Sequence, residues 1–415
     1  MRRACGGGIP AIPQKIRPME FNFDEIIDRK NTHAFKYDAL QRVFGRSDIL
    51  PLWVADMEFR SPQCITDALK GVLEQGVYGY SSEPAELFES IHDWILAEHG
   101  WDVKKEWYTY VGGIVRGIAY AVQFFTKPGD KIIVQSPVYH PFTLVPEGNG
   151  RTVLRNPLKG RDMDFENLEQ LLAESGVKMM ILCNPHNPGG YAWSRETLQR
   201  VAALCSERNV IVISDEIHCD LYLWGGKHIP FATVSEEAAR CSITFGAPSK
   251  TFNIPGLASS YCLIPNAEIR EPFYRWLGAN EFNDPGIISS LAAIAAFRHG
   301  RQWRDAAVKY IEQNILYIER KCAGFTDGQG RELIVPVRPE ASYLVWLDCR
   351  RLLARLAGKG VEALRLEDQK LLVDYFVNKL RLGLNSGVMF GREGLGYMRL
   401  NVACPRKLLD FEFTL

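Results

Sequence analysis

Val210-Ile211-Val212-Ile213-Ser214-Asp215-Glu216-Ile217-His218 is an apolar run that stops on a carboxylate. A β-branched run without polar alternation reads as a strand buried on both faces. It follows a helical pattern from about Arg195 to Arg208, and the same order recurs around it. Lys178-Met179-Met180-Ile181-Leu182-Cys183 follows an amphipathic stretch from about Phe165 to Glu174, and Lys131-Ile132-Ile133-Val134-Gln135 follows the turn Pro128-Gly129-Asp130. Ser242–Phe245 and Ser259–Ile264 continue the series. Apolar strands alternating with helices predict an α/β fold whose large domain has a mostly parallel sheet covered by helices on both faces.

Outward from this centre, helical spacing appears at Pro62–Gly76 and Ala85–His99, and a long helical pattern runs from about Trp303 to Cys322. The remainder mixes strands (Tyr343–Leu347, Tyr397–Asn401) with a helix expected over Val361–Lys379, which predicts a smaller α+β C-terminal domain. The expected division is a disordered extension over 1–18 and an N-terminal segment, 19–60, contributing to the small domain and the active-site edge. A large domain over 61–302 and a connecting helix with the small domain over 303–415 complete it. Leu415 follows soon after Pro405-Arg406, so the final helix is expected to be short or missing.

The chain has 415 residues, 47% of them hydrophobic, which suffices for a large core. Its formal net charge is zero, so neither a nucleic-acid nor a membrane-surface partner is expected. No apolar run approaches the roughly 20 residues needed to span a bilayer. Met1-Arg2-Arg3-Ala4 lacks an apolar segment behind its charges, which argues against a secretory signal. The ten cysteines show neither C-x-x-C pairs nor metal-ligand spacing, so no metal is expected and buried reduced thiols in a cytoplasmic protein are.

Three polar residues each come just after an apolar strand: Asn187 in Asn184-Pro185-His186-Asn187-Pro188, Asp215, and Lys250 in Ala247-Pro248-Ser249-Lys250-Thr251-Phe252-Asn253. Ligands of open α/β sheets gather at the carboxyl ends of strands, so the three can converge. A lysine amine can condense with an aldehyde, an aspartate can keep a pyridinium protonated, and an asparagine amide can donate to a phenolate. That set describes a pocket for pyridoxal 5′-phosphate. Asn187 taken alone reads equally well as turn chemistry. Asp215 and Lys250 do not, because burying either charge without a partner is costly.

A phosphate needs backbone N–H groups at a helix start. Gly112-Gly113-Ile114-Val115 opens a helical run, so the amides of Ile114 and Val115 are expected to face the anion, with the Ser249 hydroxyl assisting. Tyr139, in Pro137-Val138-Tyr139, is expected to stack on the pyridine ring; a half-buried strand-end aromatic is the plainer reading.

Together with Leu52–Phe59, Gly76-Val77-Tyr78-Gly79-Tyr80 and Arg399-Leu400-Asn401-Val402-Ala403-Cys404-Pro405-Arg406, these motifs resemble the fold-type I pyridoxal-phosphate enzymes of the aminotransferase class I/II superfamily. Within it the chain is most similar to MalY/PatB-type cystathionine β-lyases, over about Phe23 to Arg406. The resemblance implies a homodimer in which Tyr80 reaches the neighbouring subunit's cofactor phosphate. It implies Arg399 as the clamp on a substrate α-carboxylate, which suits a planar guanidinium. Trp53 and Asp56 fall in the segment resembling a substrate-side loop, and His218 stands where aminotransferases commonly carry Tyr. Ala258 stands where they commonly carry a phosphate-binding Arg; both changes match the lyase branch. Without the resemblance, Tyr80 reads as a core aromatic and Arg399 as a surface ion-pair residue.

The expected reaction is α,β-elimination from L-cystathionine or a related S-substituted cysteine, with Lys250, Asp215 and Tyr139 at its centre. Transamination of an amino-acid substrate is the alternative, and a regulatory binding protein that keeps the fold is a second.

Overall fold

The computed structural model describes residues 21–414. The extension expected over 1–18 lies outside them. Seven strands form the main sheet: β1 (Tyr108–Val111), β2 (Lys131–Ser136), β3 (Thr152–Pro157), β4 (Val177–Cys183), β5 (Ile211–Asp215), β6 (Ser242–Gly246) and β7 (Ser260–Leu263). Their order is β1-β7-β6-β5-β4-β2-β3, with only β7 antiparallel to its neighbours. The sheet is therefore mostly parallel, as the continuous apolar runs require. β3 was not among the expected strands; its residues are only partly covered and its sequence, Thr152-Val153-Leu154-Arg155, lacks an apolar run.

Alternation along the strands feeds two separate cores. Ile132 and Val134 of β2, Met179 and Ile181 of β4 and Ile213 of β5 pack with Ile118 and Val122 on one face. Ile133, Met180, Leu182 and Val212 pack with Leu168, Leu198 and Val201 on the other. Asp215 shares the parity of Ile213, so it emerges at the strand end on the first of these faces.

Of the helices, α1 (Gln63–Gln75), α2 (Ala85–His99), α3 (Ile114–Phe125) and α4 (Arg301–Ala323) bear on the site. Gly117 lets α3 lie against β6: a Cβ there would stand 2.5 Å from Phe245 Cε1. The close approach seats α3 on β6, the strand that leads into the turn carrying Lys250.

A smaller antiparallel sheet follows, from β8 (Val335–Val337), β9 (Leu344–Asp348), β10 (Asn385–Ser386) and β11 (Tyr397–Asn401), in the order β10-β11-β9-β8. Leu50-Pro51 pairs with Leu382-Gly383 in a short parallel ladder, which ties the N-terminal segment to this part of the chain. The single helix expected over Val361–Lys379 is instead broken. Short 3₁₀ turns at Val361–Ala363 and Leu366–Asp368 precede one helical stretch, Gln369–Asp374, and a π turn, Tyr375–Lys379. The break falls where the Asp368 carboxylate accepts the Arg365 N–H and the Lys359 ammonium, an arrangement that caps a turn and stops a continuous helix. No helix among the described residues is long and apolar enough to cross a membrane.

Candidate active site

Each residue of the expected trio leaves the main sheet at a strand's carboxyl end. Asp215 closes β5, paired with Cys183 of β4 on one side and Phe245 of β6 on the other. Asn187 lies in the loop after β4. Lys250 sits in the short helix Pro248–Thr251 after β6, where Pro248 occupies the first turn without losing a helical hydrogen bond.

Asp215 is buried, accepts the Ile217 N–H at 3.1 Å and forms no ion pair among the described residues. Burial drives its carboxyl up to about 7, against weaker opposing pulls from that N–H and from Lys250. Lys250 donates to the Ala55 carbonyl at 2.6 Å. Burial brings its amine down to about 8, with Asp56 and Asp215 working against the drop and Arg399 adding to it. His218 is buried beside them and driven down to about 3 by burial and by the Lys250 and Arg399 charges. Its Nδ1 has no partner among the described residues. It is a neutral ring at any working pH.

Arg399 is buried on β11, not at the surface as its motif alone allowed. It donates to Asn187 Oδ1 at 2.9 Å, Asn385 Oδ1 at 2.7 Å and the Trp53 carbonyl at 3.0 Å, and lies 4.8 Å over the Phe390 ring. These acceptors are all neutral, and Nε has none. Burial lowers the guanidinium to about 10. A buried cation satisfied only by neutral oxygens is suited to an incoming carboxylate. Because Arg can only donate, Asn187 must turn Oδ1 toward it, which leaves Nδ2 free to donate elsewhere.

Tyr139 is half-buried and donates its N–H to the Asn187 carbonyl at 3.0 Å. Its hydroxyl is pushed up by burial while Arg399 pulls it down and Asp215 adds to the rise. Ser249 is buried next to Lys250. At the start of α3, Gly113 holds φ +127°, a conformation other residues rarely adopt, and no side chain caps the helix. The first-turn amides of Ile114 and Val115 thus stay available as donors. Lys250, Asp215, His218, Asn187, Arg399 and Tyr139 are brought together, with Ser249 next to Lys250 in the chain.

Three expected residues sit differently. Trp53 turns its ring into a cluster with Phe35 and Phe44 and donates Nε1 to the Lys36 carbonyl at 2.9 Å; only its backbone carbonyl faces Arg399. The Asp56 carboxylate is taken by Arg29 at 2.7 Å and Lys36 at 3.2 Å. Burial raises it, but those two cations outweigh burial and hold it below the usual carboxylate range. Tyr80 is fully exposed, in a run with Val77 and Tyr78 also exposed, so within one chain it lies outside the site and is no core aromatic.

Sequence reasoning passed over Tyr343, read only as the start of a strand. It is fully buried, its hydroxyl donates to the Ala55 carbonyl at 2.9 Å, and its ring meets His218 edge-on at 6.0 Å. Asn253, within the Lys250 motif, carries no signal of its own in the sequence. Held at φ +56°, it binds the backbone of Met57 and Phe59, pinning the segment that Lys250 leans on. Asn401 does the same from β11, donating to the carbonyls of Val54 and Asp56.

The donor set fits pyridoxal phosphate: a lysine amine, a buried carboxyl short of a cation, a free amide N–H, a hydroxyl and open helix-start amides. Comparison with known proteins agrees with the geometry. Cystathionine β-lyase PatB of Bacillus subtilis is 40% identical over 393 residues, 94% of this chain and 97% of that protein. A pyridoxal-phosphate-bound putative aminotransferase from Clostridium difficile superposes with a TM-score of 0.85 at 36% identity, covering 94% of this chain and 97% of that one. Cystalysin from Treponema denticola, which contains the same cofactor, superposes equally well at 30% identity, covering 94% and 96%. The sequence profile described as aminotransferase class I and II matches residues 48–394, which cover the whole main sheet with Asn187, Asp215 and Lys250 and every strand but the last, the one that carries Arg399, and to that family this chain belongs.

Proposed function

We propose that this protein is a pyridoxal 5′-phosphate-dependent carbon–sulfur lyase. It removes a thiol by α,β-elimination from L-cystathionine or a related S-substituted cysteine, leaving an aminoacrylate that water hydrolyses to pyruvate and ammonia. The observation that carries the reading is the set of buried charges without opposite partners, Asp215 and Arg399, flanking a lysine whose amine titrates near neutrality. Similarity to proteins named cystathionine β-lyase sets the reaction class.

In this reading Asp215 would hold the ring nitrogen and Asn187 Nδ2 would donate to the ring oxygen. The Ile114 and Val115 amides with Ser249 would hold the phosphate, and Tyr139 and His218 would flank the ring. When bound, the cofactor supplies an electron-accepting ring that stabilises negative charge at the substrate Cα. Arg399 fixes the α-carboxylate and so orients Cα. Lys250, at about 8, is matched to taking the Cα proton near neutral pH. As the C–S bond breaks, its electron pair leaves with sulfur and a proton is returned to the thiolate. Residues 61–302 serve as the cofactor-holding unit, and 19–60 with 303–415 as the substrate-side unit, where Trp53 and Asp56 shape the edge.

The exposed run Val77-Tyr78-Gly79-Tyr80 supports a homodimer in which Tyr80 reaches the partner's cofactor phosphate. A cofactor-saturated monomer in sedimentation velocity would remove that part. The nine free cysteines of the described chain, eight of them buried, suit a reducing, cytoplasmic location.

The deciding experiment supplies L-cystathionine to cofactor-saturated protein and follows pyruvate and homocysteine, with and without 2-oxoglutarate. Equal amounts of both products without the oxo acid are expected. Glutamate formed only with it, and no pyruvate, would establish an aminotransferase, the reading that likeness to the Clostridium difficile putative aminotransferase favours.

A further inference from the structure

The segment Trp53–Met57 presents its backbone carbonyls to a row of side chains. Trp53 O accepts Arg399, Val54 O and Asp56 O accept Asn401 Nδ2, Asp56 O also accepts Lys36, and Met57 O accepts Asn253. The central carbonyl, of Ala55, is shared: Lys250 Nζ at 2.6 Å and the Tyr343 hydroxyl at 2.9 Å both donate to it. A carbonyl oxygen has two lone pairs, so these two donors use it fully.

We propose that Tyr343 is a positioning residue for Lys250: its hydroxyl fixes the Ala55 carbonyl on which the Lys250 amine rests when that amine is free, and competes with the amine for it. The inference rests on Lys250 being the reactive amine, not on which reaction follows.

Two consequences come from the geometry. The amine is held at one distance and direction from the strand-end cluster. Its proton is also held less firmly, because the hydroxyl hydrogen already occupies half of the acceptor. Tyr343 itself stays protonated. Burial and the nearby Asp56 push its hydroxyl far above the ordinary range, and Arg399 only partly offsets them, so it acts as a permanent donor and not as an acid. The other charges acting on Lys250 are Asp56, Arg399, Asp215 and Lys36, and His218 faces both Lys250 and the Tyr343 ring. None of these is altered by removing one hydroxyl.

The test is Tyr343→Phe, which keeps the ring and its edge contact with His218. The rate of Lys250 acylation by acetic anhydride is followed against pH in full-length protein freed of cofactor, by peptide mass spectrometry. The midpoint is expected to rise by about 0.5–1 pH unit, the size of one neutral hydrogen bond. In the holoenzyme the acid limb of the kcat profile should move by the same amount with KM unchanged. Tyr343→3-fluorotyrosine, a stronger donor of nearly equal size, should move the midpoint down, and it guards against a Phe variant that folds poorly. An unmoved midpoint in both variants, or shifts of the reverse sign, would overturn the proposal and leave Tyr343 as packing. Acylation does not depend on turnover, so failure of the lyase reading would leave this result standing.

Discussion

Asp215, at the end of β5, and Asp220, five positions on, are both buried, yet their carboxyls are shifted in opposite directions. Asp220 accepts Trp94 Nε1 and His99 Nε2, each at 2.9 Å, on one oxygen and the Thr251 hydroxyl at 2.8 Å on the other. Burial opposes its charge, but His99, Trp94 and Arg304 outweigh burial and hold it at about 2. Asp215 has one backbone donor and goes up to about 7. The same distinction runs through the molecule. Lys36 is fully buried and lies 2.7 Å from Glu58 and 3.2 Å from Asp56, so its charge is answered. Lys250 meets a carbonyl, and Arg399 meets neutral oxygens. Buried charges answered by the chain itself hold the scaffold. Those left unanswered mark where a ligand's charge belongs.

The comparison breaks first at Lys250. Lys250→Ala should cut turnover by roughly 10⁴-fold or more, since both the condensing amine and the general base go. The fold should persist, because no ion pair is lost. Circular dichroism and single-turnover product assays check both halves; a variant that unfolds would place Lys250 with the scaffold charges.

Much of this division was legible in the sequence. A carboxylate ending Val210-Ile211-Val212-Ile213-Ser214 stands out because nothing local can answer it, and a lysine after a strand stands out likewise. Asp220 and Tyr343 did not stand out. Their meaning depends on partners distant in the chain, Trp94 and His99 for one and Ala55 for the other, and single-residue periodicity carries no such information. The broken 361–379 region failed for a related reason: its helical spacing was real, but side-chain hydrogen bonds from Asp368 override propensity. Trp53 shows the limit in reverse, since the motif located the segment and left open whether the ring or the carbonyl faces inward.

Asp220→Asn is expected to destabilise the protein by roughly 3–5 kcal/mol at pH 7, because an amide nitrogen must then meet one of three donors in a buried site. The folded carboxyl titrates at about 2, below its unfolded value, so its contribution is present above about pH 4 and lost as pH falls through 2. Urea unfolding at pH 7 and pH 3 should show the difference between variant and parent narrowing at the lower pH. An equal difference at both would mean that packing, not charge, is what Asp220 supplies.

Asp215→Asn should act in the opposite sense. The folded carboxyl titrates at about 7, above its unfolded value of 3.8, so the folded state binds the extra proton between those limits. Parent stability therefore falls as pH rises from about 4 to 7, and the full penalty applies above 7. In cofactor-free protein at pH 8 the Asn variant should be more stable by roughly 2–4 kcal/mol, while the loaded enzyme loses most of its activity. A Tm gain that is the same at pH 5 and pH 8 would count against an unanswered charge at this position.

The smallest effect expected is at Thr251→Val, which joins the two regions. Thr251 is fully buried, follows Lys250 directly, and gives its hydroxyl to Asp220. The substitution keeps shape and removes one donor to a carboxylate that retains two others, Trp94 and His99. The cost should be about 1.5–2 kcal/mol, at the low end of the range for a hydrogen bond to a charged group and well below the loss of the carboxylate itself. Because Asp220 stays charged and anchored, the helix carrying Lys250 should stay in register and KM should not change. A double variant with Asp220→Asn should lose clearly less than the sum, since both changes remove the same contact. Full additivity would show that Thr251 and Asp220 act independently, and that the hydroxyl contributes nothing through the carboxylate it meets.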